Sequence, residues 1–185
     1  MLADLFQLRL CLHDVRTHDH TGVVTIRRQA NGVVVSLDRT FEQGALRIDD
    51  AVEYTMQVCE ALAVAHSNGI IHRDLKPENL FLTKRRDGSS CIKVLDFGIS
   101  KELGVTNLTT DGQPYGSPLY MSPEQLCSAT DLDARTDVWS LGVTLFELLT
   151  GTPFIAGERE VDLLRAAEQP RWRAPSILRP ELSDR

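Results

Sequence analysis

The run His72-Arg73-Asp74-Leu75-Lys76-Pro77-Glu78-Asn79, followed by Asp96-Phe97-Gly98 with its aspartate 17 residues beyond Asn79, decides how the chain is read. It sets a carboxylate, an ammonium and a carboxamide within six residues. A second carboxylate ends a short strand. Fixing His, Arg, Asp, Lys and Asn at these offsets has a chance frequency on the order of 10⁻⁴ in a chain of this length. The plain alternative, that Asp74 and Asp96 are ordinary turn carboxylates, has that coincidence to explain.

The segment before this run has helical periodicity. Asp49 or Asp50 can N-cap a helix that reaches about Asn68, with Gly69 placed to end it. Val52, Met56, Cys59, Ala63 and His66 form one stripe and Ala51, Val58, Leu62 and Ala65 the next, so the helix is expected to be buried on most sides. After the run come two short strands, Leu80 to Thr83 and Cys91 to Leu95, joined by the turn Arg85-Arg86-Asp87-Gly88. Residues 99 to 123 are rich in Gly, Thr, Ser and Pro and read as a long loop, a length that is uncommon unless functional. Thr136-Asp137 begins a helix to about Thr150 whose apolar residues cover nearly its whole circumference, as a central core helix requires. A shorter amphipathic helix is expected around Arg159 to Glu168. Nearer the start, Val23-Val24-Thr25-Ile26 and Val33-Val34-Val35 flank Asn31-Gly32, a hairpin signal. Residues 1 to 20 have no sustained period.

Composition bounds the function classes. The 185 residues imply one domain, or one domain with an appendage, and folding at this size buries roughly 70% of the unfolded surface. With 42% hydrophobic and 25% charged residues the chain is an ordinary globular protein. A formal charge of −6 argues against nucleic-acid binding, which needs clustered positive charge. The four cysteines are scattered singly and read as reduced thiols, no stretch approaches a membrane span, and a cytoplasmic location is expected. The four lysines are Lys76, Lys84, Lys93 and Lys101, so none precedes residue 76.

The two motifs resemble the catalytic loop and magnesium-binding motif of the protein kinase family. Phosphoryl transfer from ATP needs a hydroxyl held in line and charge neutralised on phosphate oxygens, with little covalent work for the protein. The resemblance implies that Asp74 accepts the substrate hydroxyl proton, that Lys76 lies beside the transferring phosphoryl group, and that Asn79 and Asp96 hold Mg2+. It also places Lys76, Glu78, Asn79, Phe81 and Asp96 around ATP. Phe81 falls where the family floors the adenine, a reading that coincides with a plain core aromatic. His72, Phe97, Glu124 and Asp137 take structural roles, Asp137 as the helix-start residue that bonds the catalytic-loop backbone. The stretch from Gly116 to Glu124 is similar to the family's docking loop and closing A-P-E, with Ser122 in place of Ala. Thr109 and Thr110 sit where a phosphate would meet Arg73, and phosphate opposite Arg can order a loop. Ser117 and Lys76 match the serine/threonine branch, and the phrasing is similar to bacterial Hanks-type kinases.

The resemblance covers about residues 49 to 170. It implies an α+β, protein kinase-like fold: a mainly helical C-lobe over 49–185, cut short at its end, preceded by a lead-in and hairpin over 1–48 that could be an N-lobe remnant. No G-x-G-x-x-G loop, upstream lysine or paired helix glutamate accompanies it. The implied activity is that of a serine/threonine protein kinase acting on an unidentified protein substrate with ATP and Mg2+, weakened by the absent clamp. A non-catalytic, pseudokinase-like binding module and a small-molecule kinase of the same fold are the alternatives. Lys76 and Ser122-Pro123-Glu124 argue against the last.

Overall fold

The computed structural model describes residues 35–38, 44–97, 118–127, 131–155 and 173–184. The expected hairpin around Asn31-Gly32, except for its end, the helix around 159–168, Gly98, Thr109, Thr110 and Ser117 lie outside them.

Strand β1 (Val35–Ser36) leads to helix α1 (Ile48–Ser67). The catalytic-type loop then passes through a single 3₁₀ turn, Pro77–Asn79, into β2 (Leu80–Lys84) and β3 (Ser90–Val94). The three strands form an antiparallel sheet in the order β1-β2-β3, with Val35 opposite Leu82 and Leu82 opposite Ile92. A short helix α2 (Pro123–Leu126), the long α3 (Arg135–Thr150) and a final turn of helix α4 (Pro175–Leu178) complete the order.

Helix α1 begins two or three residues earlier than an N-cap at Asp49 or Asp50 would give. Arg47 is its N-cap, without a side-chain bond, and Asp49 and Asp50 lie in the first turn, where negative charge still suits the exposed N–H groups. The end falls where glycine is needed, with Gly69 at φ +73° and its N–H bonded to the His66 carbonyl. Burial is narrower than the double stripe implies. Ala51, Tyr54, Val58, Leu62 and Ala65 are buried, whereas Val52 is 48% and Met56 58% exposed. The reason is packing: the main neighbours of α1 are β3 and α3, which together cover a single stripe and leave the rest of the helix to solvent.

Helix α1 also closes the sheet edge. Among the described residues β3 pairs with β2 alone, and the Gln57 side chain meets its other side, accepting from Ile92 N–H at 2.9 Å. Edge N–H groups left open invite pairing with other chains, so this bond has a protective as well as a stabilising effect. The core gathers Tyr54, Val58 and Leu62 of α1, Leu80 of β2, Ile92 and Val94 of β3, and Leu141, Leu148 and Leu149 of α3. Leu75 of the loop is fully buried in the same cluster. At Gly151, φ is +67° and a side chain would meet the Ala45 backbone nitrogen at 3.0 Å, so glycine is required on both counts.

Candidate active site

The loop from His72 to Asn79 alternates between anchors and reactive groups. His72, Leu75, Pro77 and Asn79 are buried, and between them Arg73, Asp74, Lys76 and Glu78 are partly open to solvent. Fixing Leu75 in the core therefore fixes the side chains on either side of it.

Asp74 is framed by its own loop. The Asn79 amide Nδ2 donates to the Asp74 carbonyl at 2.7 Å and to its carboxylate Oδ2 at 3.2 Å, and the Lys76 ammonium lies 3.7 Å from that same oxygen. With Nδ2 committed to Asp74, the Asn79 amide oxygen is left on the other side as an acceptor. The Asn79 backbone carbonyl accepts from Leu95 N–H at 2.9 Å, so one residue joins the loop to the segment that carries Asp96. Asp96 is exposed, with φ at +55°. Amide and carboxylate oxygens are the hard donors magnesium takes, usually with substrate phosphates completing the shell, so Asn79 and Asp96 fit that ion.

His72 ties the two motifs together. It is fully buried, its Nε2 lies 2.9 Å from the Leu95 carbonyl, its Nδ1 accepts from the Asp74 backbone nitrogen at 3.3 Å, and its ring packs at a tilt of 49° against Phe97 with centroids 4.6 Å apart. Burial pushes its pKa below the ordinary histidine value, although the Leu95 carbonyl and the charges of Asp137, Asp74 and Asp96 pull the other way. The neutral ring then donates from Nε2 and accepts at Nδ1, a tautomer matching both contacts.

Asp137, at the start of α3, is completely buried. Its two oxygens accept from the backbone N–H groups of His72 and Arg73, each at 2.8 Å, and His66 Nε2 of α1 lies 2.7 Å from Oδ2. His66 belongs to this site, although its place in an apolar stripe gives no sign of it. Its partner is 71 residues away.

The docking segment is held by the same helix. Ser122, the residue that departs from the A-P-E pattern, is fully buried with its hydroxyl 2.6 Å from that of Thr136. Ser140 donates to the Tyr120 carbonyl at 2.7 Å, and the Tyr120 hydroxyl donates to Glu147 at 2.7 Å. Burial pushes the Glu147 carboxyl and the Tyr120 phenol upward, with Glu78 adding a like charge to both. Glu78 itself has a buried oxygen, Oε2, without a hydrogen-bond partner among the described residues. Phe81 is 4% exposed as the second residue of β2, opposite Ser36 and Lys93. Glu124 lies in the first turn of α2 and adds a weak attraction to the exposed Arg135, whose main partner is Asp133.

On this α+β scaffold a loop carboxylate is backed by a buried helix-start aspartate and stands in one loop system with an amide and a second carboxylate whose oxygens suit magnesium. Residues 15–181 match the protein kinase domain model, and the chain belongs to the protein kinase family. It is 40% identical over 148 residues to a probable serine/threonine-protein kinase of Clostridium perfringens, covering 80% of this chain and 21% of that protein. It is also 37% identical over 128 residues to the serine/threonine-protein kinase PknB of Mycobacterium tuberculosis, which covers 68% of this chain and 20% of PknB. With Pkn1 of Myxococcus xanthus it shares 47% identity over 102 residues, 54% of this chain and 14% of that kinase. The chain thus spans about a fifth of the length of the curated relatives it matches.

Proposed function

We propose that the chain is the helical lobe of a serine/threonine protein kinase and that its loop performs the hydroxyl-positioning half of phosphate transfer to a protein. The observation that carries this is the Asn79 amide bridging the carbonyl and carboxylate of Asp74 with the Lys76 ammonium alongside. Asp74 is the acceptor for the substrate hydroxyl proton. Lys76 sits where negative charge collects, and Asn79 and Asp96 are the magnesium ligands. ATP supplies the phosphoryl group, with magnesium neutralising charge on its oxygens. The printed names of the relatives support the serine/threonine assignment, as do Lys76 and the Ser122-Pro123-Glu124 element. The setting is cytoplasmic, and among the described residues no helix is long and apolar enough to cross a membrane.

One observation favours a second reading, a binding module without turnover: residues 1–75 contain no lysine that could hold the phosphates in line. An arginine is a poor substitute for a compact ammonium. The purified chain, incubated with labelled ATP and a basic protein, separates the two. The expected result is slow labelling, at least about 10²-fold below the ordinary kinase range of about 1 to 100 s⁻¹, that disappears in Asp74→Asn. Labelling that survives Asp74→Asn overturns the phosphotransferase assignment, and no labelling at all gives the binding module.

A further inference from the structure

Arg73 immediately precedes the proposed catalytic aspartate, and its backbone takes φ +64°, a left-handed conformation costly for any residue with a Cβ. Both ends of that residue are held from outside the loop. Its N–H donates to Asp137 Oδ1 at 2.8 Å, and its carbonyl accepts from Gln125 Nε2 at 2.8 Å. The other end of the Gln125 side chain is also engaged: Oε1 accepts from Ser122 N–H at 3.0 Å, while Gln125 N–H donates to the Ser122 hydroxyl at 3.4 Å. The second pair is a capping box, which any glutamine or glutamate at this spacing after serine can form. The bond to Arg73 is a separate matter. It spans 52 residues of sequence and needs an N–H₂ donor, which glutamate lacks.

We propose that Gln125 is a positioning residue: it clips the docking segment to the Arg73 carbonyl and so holds the left-handed turn from which Asp74 is presented. This rests on the phosphotransferase reading for its consequence, but not for its geometry. A substrate peptide seated on the docking segment would then be in mechanical contact with the proton acceptor through one amide side chain. Because Gln125 acts on the orientation of Asp74 and touches no part of the nucleotide, its loss should lower kcat and leave the KM for Mg-ATP unchanged.

The test exploits the two halves of the amide. Gln125→Glu keeps the acceptor that caps α2 and removes the donor to Arg73, whereas Gln125→Met removes both. Amide hydrogen exchange over residues 72–76 is measured on the full chain, with 80–94 as internal reference, alongside kcat and KM. Expected for both variants is exchange about 5- to 10-fold faster at 72–76, the scale of one lost hydrogen bond, with the reference strands unchanged, and a similar fall in kcat at constant KM for Mg-ATP. If Gln125→Glu exchanges like the parent at 72–76, or if exchange rises equally throughout the chain, Gln125 is only a cap and the proposal is wrong. A parent chain without Asp74-dependent labelling defeats the functional reading alone, since the exchange comparison stands without it.

Discussion

Arg73 and Asp96 both take left-handed backbones although neither is glycine, and both lie at the proposed chemistry. Such a conformation costs about 1 to 3 kcal/mol and persists only where the surroundings over-determine it. At Arg73 the surroundings are Asp137 and Gln125. At Asp96 they are the neighbouring residues, with Leu95 bonded through its N–H to Asn79 and through its carbonyl to His72, and Phe97 packed on the His72 ring. Asp137→Asn replaces one acceptor oxygen by a donor and leaves a buried N–H of His72 or Arg73 without a partner. We expect a loss of about 1 to 3 kcal/mol in a denaturant titration. His72 has a definite pH signature. As a base whose folded pKa is lowered by burial, it is protonated first in the unfolded chain, near about 6.5. Its contribution to stability is complete above that pH and declines as pH falls through it, levelling off below the folded value. Melting temperature should therefore drop between pH 7.5 and 5.5, and His72→Asn should flatten part of that drop.

Among the elements, α3 has the widest reach. Its apolar residues Leu141, Leu148 and Leu149 enter the core as their spacing predicts, while Val138 in the first turn is 63% exposed. Interleaved with them is a row of buried polar residues, Thr136, Asp137, Ser140 and Glu147, that sequence periodicity treats as gaps in the apolar face. These four have partners on other elements, with Asp137 gripping the catalytic loop and the other three gripping the docking segment, while the hydroxyl of Thr144, buried on the same helix, has no hydrogen-bond partner among the described residues. The helix is both a core strut and a rack. Tyr120→Phe removes the phenolic donor from the buried Glu147 carboxylate, and a bond to a charged group is worth about 1.5 to 3 kcal/mol. The loss should be smaller at pH 5 than at pH 7.5. Glu147 is an acid with a raised folded pKa, so its ionised form is the one burial penalises, and that penalty fades as pH falls toward the carboxyl range.

At the scale of the whole molecule, the oxygens of Asn79 and Asp96 proposed to hold magnesium have no lysine in residues 1–75 to accompany them as a phosphate clamp. Calorimetric titration with Mg-ATP should therefore show weak binding, above the micromolar range, abolished or further weakened by Asp96→Ala. Submicromolar affinity indifferent to that substitution would count against Asp96 as a ligand. The sequence by itself determined the family and the approximate spans of α1, β2, β3 and α3, because residue type and short-range period are local properties. Only the tertiary structure decided what lies opposite each side chain. That His66 meets Asp137, that Gln125 reaches Arg73 as well as capping its own helix, and that half of the expected apolar stripe on α1 faces solvent are facts about partners 52 or more residues away or about which neighbours exist at all. Hydrogen bonds and burial depend on proximity in space, and chain packing creates that proximity between segments whose sequences have no spacing in common.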